Sequence, residues 1–365
     1  MSEYPIDTLR VKQFGPFGEL NIQFSPQLNV VVGDNGTGKT QLLKLLYAST
    51  KSVDHGNLEE PSKTHLATSV ATKLIGVFKP DSLGRLASRV RGRSKADVSV
   101  KFKGVGSELA FNFASSADNR VKVESVPNRR LEDTAVFLPS RELLSIYPGL
   151  ISLYESREVS FDETWRDTAV LLGMTPLLGP RGDRANQLLE PILEILEGSV
   201  VEENGRFYVK LKTATGGTGK IEAHLVSEGY RKLAMVLRLV QSGVLLEKGY
   251  LFWDEPEANL NPRTQRAVAK TIHLLAKHGT QVFIATHSVF ILRELRLLSD
   301  EDPVVTAYIG LERHEPSDNG SVLTGVSGTV GPTQADLPTL TALEEEAAQA
   351  LSLIHISEPT RQAEI

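Results

Sequence analysis

Leu28-Asn29-Val30-Val31-Val32-Gly33-Asp34-Asn35-Gly36-Thr37-Gly38-Lys39-Thr40-Gln41-Leu42-Leu43-Lys44-Leu45-Leu46-Tyr47 is the stretch whose reading decides the fold. It opens with a β-branched apolar run suited to a strand buried on both faces. It then passes through a glycine-rich loop and continues with the 3.6-residue periodicity of a helix. The loop satisfies Gly-x-x-x-x-Gly-Lys-Thr over residues 33–40. In that setting successive backbone N–H groups turn inward and surround a phosphate. Glycine is needed because a side chain would obstruct the approach and because some positions take positive φ. Gly33, Asp34, Asn35, Gly36, Thr37, Gly38, Lys39 and Thr40 are therefore expected to cradle a nucleoside triphosphate, ATP with Mg²⁺. Lys39 would reach the β- and γ-phosphates and Thr40 would offer its hydroxyl to Mg²⁺, while the dipole of the following helix favours the anion.

Working outward, Tyr250-Leu251-Phe252-Trp253-Asp254-Glu255-Pro256-Glu257 is an apolar strand that ends in acids. An Asp at such a strand end holds Mg²⁺ in phosphate-loop enzymes, which makes Asp254 the second metal residue beside Thr40. Glu255, one position on, can act as general base toward a water. A helix over about 262–278 separates this strand from Gln281-Val282-Phe283-Ile284-Ala285, giving a βαβ unit. Towards the N-terminus, residues 9–12 and 20–24 alternate as two strands of an antiparallel ribbon with a turn at 15–18. Residues 97–103, 108–113 and 121–126 extend the antiparallel part, 135–139 reads as another buried strand, and 142–200 is mostly helical in pattern. Residues 207–211 read as a strand and 216–219 as a turn, and a further helix is expected near 340–351.

The fold expected is α/β: a mixed central sheet carrying the phosphate loop, an antiparallel β subdomain and an inserted helical subdomain. The segments are 1–141 (N-terminal lobe), 142–225 (helical insert), 226–310 (C-terminal ATPase lobe), 311–351 (extension) and 352–365, a tail that reads as translated vector sequence. At 41% hydrophobic and 23% charged, 365 residues suffice for a sizeable core, and a net charge of −5 leaves any nucleic-acid contact to a local basic patch. Arg85, Arg89, Arg91, Arg93 and Lys95 form one candidate. The absence of cysteine excludes disulfides and thiolate-held metals. No apolar run approaches a membrane span, so a cytoplasmic protein is expected.

Three further pieces carry a resemblance. Val226-Ser227-Glu228-Gly229-Tyr230-Arg231-Lys232 precedes the acidic strand by one helix, Ala258-Asn259-Leu260-Asn261-Pro262 follows it, and Thr286-His287-Ser288 ends the next strand. The order phosphate loop, Ser-x-Gly signature, Asp-Glu, D-loop and switch histidine resembles ABC-type ATPases, in particular the branch holding SMC, RecF and OLD-like proteins and the compact AAA family ATPases of bacterial defence. The resemblance covers about 1–48 and 225–290. It implies ATP hydrolysis in a homodimer, with Ser227 and Gly229 contacting the γ-phosphate of ATP bound to a second copy. His287 would sense the γ-phosphate in cis, and Asn259 and Asn261 would lie at the dimer interface. It also implies work in DNA repair or phage defence, with a nuclease or another effector on a separate chain. Two departures stand out: the signature reads Ser-Glu-Gly where many relatives have Ser-Gly-Gly, and residues 138–142 occupy the place of the Q-loop without supplying its glutamine. Ser227 equally suits the N-cap of the helix behind it, and Pro262 suits a helix start. The alternatives are the ATP-binding subunit of a membrane transporter and a non-hydrolysing, nucleotide-dependent interaction module.

Overall fold

The computed structural model describes residues 2–53, 62–88, 94–157, 159–212, 218–314, 325–337, 344–345, 348–349 and 351–352. The chain begins with β1 (Ile6–Phe14), β2 (Phe17–Gln23) and β3 (Leu28–Gly33), followed by α1 (Lys39–Val53) and α2 (Lys63–Phe78). Next come β4 (Lys95–Phe102), β5 (Leu109–Ala114), β6 (Lys122–Ser125) and β7 (Ala135–Leu138). The insert holds α3 (Leu150–Ser156), α4 (Glu163–Leu172), α5 (Pro180–Leu188) and α6 (Glu190–Leu196). It then forms a small sheet of β8 (Gly198–Glu203), β9 (Arg206–Lys212) and β10 (Thr218–Glu222). The last part holds α7 (Glu228–Gln241), β11 (Tyr250–Asp254), α8 (Pro262–Lys277), β12 (Gln281–Ala285), α9 (Val289–Glu301), β13 (Thr306–Arg313) and β14 (Val326–Gly331).

Among the described residues, eleven strands form one sheet in the order β6-β5-β4-β1-β2-β14-β13-β3-β12-β11-β7. From β7 to β13 the neighbours are parallel. From β2 to β6 they are antiparallel. β14 joins the halves: it runs antiparallel to β13 and meets β2 in parallel at Val326 and Phe17. The parallel strands alternate between two apolar cores. Val31, Phe137, Phe252 and Phe283 face the core covered by α1 and α2. Val30, Val32, Leu138, Trp253 and Ile284 face the one covered by α7, α8 and α9. This double burial is why these strands read as continuous apolar runs rather than alternating ones.

The ribbon turn is tighter than the expected 15–18, because β1 runs on to Phe14 and β2 starts at Phe17. Gly15, at φ 53°, makes the reversal. The helical insert carries a sheet as well as helices, and its Leu172, Leu188 and Ile192 belong to the same core as Trp253 and Val268. Gly216 and Gly217 of the expected turn lie outside the described residues, while Thr218 and Gly219 begin β10. Of the expected C-terminal helix, residues 344–345, 348–349 and 351 are helical. Residues 353–365 lie outside the description.

Candidate functional site

Parallel strands bring the loops at their C-terminal ends together, and in open α/β sheets that edge is where ligands bind. Here it gathers the loop after β3, the acids after β11 and the histidine after β12. β12 lies between β3 and β11, with Ala285 level with Val31 on one side and Asp254 on the other.

The loop has the conformation its glycines allow. Gly33, Gly36 and Gly38 have φ of 153°, 81° and 91°. A Cβ on Gly33 would stand 2.5 Å from the Leu311 carbonyl oxygen, and one on Gly38 would stand 2.6 Å from Pro16 Cγ. Asp34, Asn35 and Gly36 are exposed, whereas Thr37 is buried and donates to the Asp34 carbonyl at 2.8 Å. Lys39 opens α1, with its ammonium donating to the Gly33 and Asp34 carbonyls at 2.7 and 3.1 Å. Burial lowers the Lys39 pKa, against the opposing pull of Glu255 and Asp254.

The Thr40 hydroxyl donates to both carboxylate oxygens of Asp254, at 2.9 Å each, across 214 residues of sequence. Asp254 is buried, and burial pushes its pKa up to about 6, with Thr40 opposing and Glu255 reinforcing. A desolvated carboxylate beside a hydroxyl fits a divalent cation, which offsets the cost of burying that charge. The residues present therefore suit Mg²⁺.

Glu255 has φ 46°, in the left-handed region that residues other than glycine seldom enter. It is held there from both sides. Its N–H donates to the Ala285 carbonyl at 2.9 Å, and its own carbonyl receives the Lys232 ammonium at 2.7 Å. Lys232 is buried, also donates to the Ala258 carbonyl at 3.3 Å, and has its pKa lowered to about 8 by desolvation. Nothing in the sequence distinguished Lys232 from an ordinary helix lysine.

Ser227 precedes α7, exposed, and its hydroxyl makes no cap hydrogen bond. It is the N-cap by position only. Gly229 packs against the D-loop, where an added Cβ would stand 3.3 Å from the Asn259 carbonyl oxygen. Asn259, exposed and at φ 62°, donates to Glu228 at 2.8 Å. Asn261 caps α8, accepting from the Thr264 N–H at 3.0 Å, so its side chain serves the helix start. His287 is exposed, with Nδ1 3.9 Å from Glu255 and 3.5 Å from Glu257. Glu257, absent from the residues expected at the site, is buried there.

In the place of the Q-loop, Glu142 is buried and receives the Arg231 guanidinium at 2.6 Å, which ties this segment to α7. In the basic stretch, Arg85 pairs with Asp81 and Lys95 with Asp97. Arg89, Arg91 and Arg93 lie outside the described residues. Among the described residues no helix is long and apolar enough to cross a membrane.

Known proteins resemble this chain in sequence and in fold. A family model described as "AAA domain, putative AbiEii toxin, Type IV TA system" matches residues 87–293. One described as "AAA domain" matches residues 8–140. The chain is similar to the DNA replication and repair protein RecF of Halalkalibacterium halodurans, 24% identical over 208 residues that make up 54% of this chain and 50% of that one. It is similar to the RecF of Idiomarina loihiensis at 45% identity over 42 residues, 12% of each chain. The chain thus spans half the length of the first of these relatives and less of the second. An SMC head solved with the C-winged helix domain of ScpA has a TM-score of 0.56 at 12% identity, covering 91% of this chain and 98% of that one. That is a likeness of fold.

Proposed function

This chain belongs to the AAA-domain family whose model spans residues 87–293, with the fold of an SMC head, and from that premise we propose that it binds ATP with Mg²⁺, hydrolyses it, and pairs with a second copy of itself around the nucleotide. The observation that carries the reading is the hydrogen bonding of Thr40 to both oxygens of Asp254, which joins the phosphate loop to the acidic strand end.

Backbone N–H groups of the loop bind the phosphates and Lys39 reaches the γ-phosphate. Thr40 and Asp254 would hold Mg²⁺, which when bound supplies positive charge against the phosphate oxygens. Glu255 accepts a proton from the water whose oxygen attacks the γ-phosphorus, and the bond from that phosphorus to the bridging oxygen breaks, leaving ADP and phosphate. His287 contacts the γ-phosphate from the end of β12.

Ser227 and Gly229 reach the nucleotide of the other copy. The exposed Ser227 hydroxyl, which makes no cap hydrogen bond, supports this, as do the exposed apolar side chains on either side of it, Leu225 at 66% and Tyr230 at 39%. ATP favours the paired state because it touches both copies there. Similarity to proteins named for DNA replication and repair supports service to DNA, and the proposal extends to repair or defence against phage with a nuclease or other effector on a separate chain.

Hydrolysis of Mg²⁺–ATP, measured with and without duplex DNA, tests the activity and its link to DNA. Glu255→Gln is expected to slow turnover about 10²–10⁴-fold, as loss of a general base does, and to hold an ATP-bound dimer visible by light scattering. A variant that stays monomeric at saturating ATP rules out the paired state for this chain.

A further inference from the structure

Glu257 lies beyond the catalytic pair, and the chain turns it back toward the sheet. The left-handed Glu255, followed by Pro256, opens a turn, and Glu257 ends buried, 6% exposed, against the end of β12. Its Oε1 accepts from the Thr286 hydroxyl at 2.8 Å and from the His287 N–H at 3.1 Å. The same oxygen is 3.5 Å from His287 Nδ1. Oε2 is buried with no hydrogen-bond partner among the described residues. Its charge reaches Lys39 and Lys232, raising the pKa of each against the larger effect of burial.

Capping the end of β12 does not explain a carboxylate here. A glutamine's amide oxygen would accept from Thr286 and His287 equally well. It would do so without the cost of placing an ionised group out of water. What a carboxylate adds is a strong acceptor for an imidazole N–H. A hydrogen bond to one ring nitrogen sets the tautomer and orientation of the other.

We propose that Glu257 is the positioning residue of His287: it holds the ring through Nδ1–H, which leaves Nε2 for the γ-phosphate or the attacking water. This deepens, and rests on, the reading of the site as one that hydrolyses ATP. It also separates two acids that face one ring. Nδ1 is 3.5 Å from buried Glu257 and 3.9 Å from the half-buried Glu255. With Nδ1 engaged by Glu257, the carboxylate of Glu255 stays free for water.

The test combines kinetics with a direct view of the ring, both on the full chain. Glu257→Gln keeps the two oxygen-accepted hydrogen bonds. KM for Mg²⁺–ATP should therefore change by less than about twofold, while kcat falls about 10–100-fold, the range seen when partners behind a ligating histidine are removed. In a His287→Ala background, Glu257→Gln should change kcat by less than about twofold, since residues acting through one another are not additive. An unchanged kcat in the single variant, or effects that multiply in the double, overturns the proposal. Nitrogen-15 NMR of the histidine rings at about pH 8.5, above the ordinary imidazole range, gives the second readout, with His287 assigned by its loss in His287→Ala. The wild-type ring should carry its proton on Nδ1, and Glu257→Gln should move it toward Nε2. A wild-type Nε2–H ring overturns the proposal even where hydrolysis is normal. Absence of hydrolysis in the wild type, by contrast, removes the proposed activity while the ring measurement still decides the contact.

Discussion

At Gly38 the backbone takes φ 91°, and a Cβ would press on Pro16 at 2.6 Å and on the Phe17 ring at 3.0 Å. Pro16 lies in the turn of the β1–β2 ribbon and Phe17 is the first residue of β2. The phosphate loop is therefore seated on that ribbon as well as on β3, and its glycine answers to a neighbour in the fold as much as to a phosphate. Gly38→Ala combines a disfavoured φ with a contact that must shift. It should cost about 1–3 kcal/mol of stability, read as a lower denaturant midpoint at unchanged slope, and should weaken nucleotide binding by calorimetry. The residues that bear chemistry were unevenly legible. Lys39, Thr40, Asp254 and Glu255 stand in spacings that few other uses require. Glu257 and Lys232 do not, because an acid after a proline and a lysine in a helix are commonplace until the return of β12 and the packing of α7 bury them.

Among elements, α7 presents Ser227 at its exposed start and Lys232 one turn further in. The Lys232 ammonium holds the carbonyls of Glu255 and Ala258. Helix α7 and the turn from Glu255 to Ala258 are thus fastened to one another. The fastening has a pH signature. With the folded pKa lowered to about 8 from 10.5, the unfolded chain binds a proton between those values that the folded chain has released. Stability should rise with pH across that window and be flat on this account below about pH 8. Lys232→Met should make the rise shallower, with buried Lys39 leaving a remainder of the same sign, as followed by urea denaturation from pH 7 to 10.5. Strands β3, β7, β11 and β12 were readable because both their faces are apolar. Helix α2 was less so: its Leu66, Val70, Leu74 and Val77 stripe is interspersed with Ser, Thr and His. It is also secured from far away in sequence, by Lys73 pairing with Glu163 and Asp167 of α4.

For the molecule as a whole, the loop, the acids and the histidine hang from adjacent strands of one sheet, so the groups proposed to act on ATP in cis are already neighbours. One apolar core backs that sheet from end to end and the other backs its parallel half. The expectation of a mixed sheet with an antiparallel part came from local pattern. Its continuity did not, because no pattern in residues 306–331 says that β13 and β14 will lie between β3 and β2.

That placement has a consequence for synthesis. The strand that flanks the phosphate loop, β13, leaves the ribosome after nearly everything it supports, and β14, which fastens the N-terminal ribbon to the rest, follows it. Until then β3 lacks one of its two neighbours, and the early ribbon cannot reach its final place. Pairings so distant in sequence make folding slow and leave strand edges open meanwhile. A chain ending at residue 305 should fail to bind ATP and should aggregate, although every loop residue of the site is present in it. Measured as nucleotide affinity and light scattering during stepwise synthesis, competence should arrive in one late step, when the last two strands close the sheet.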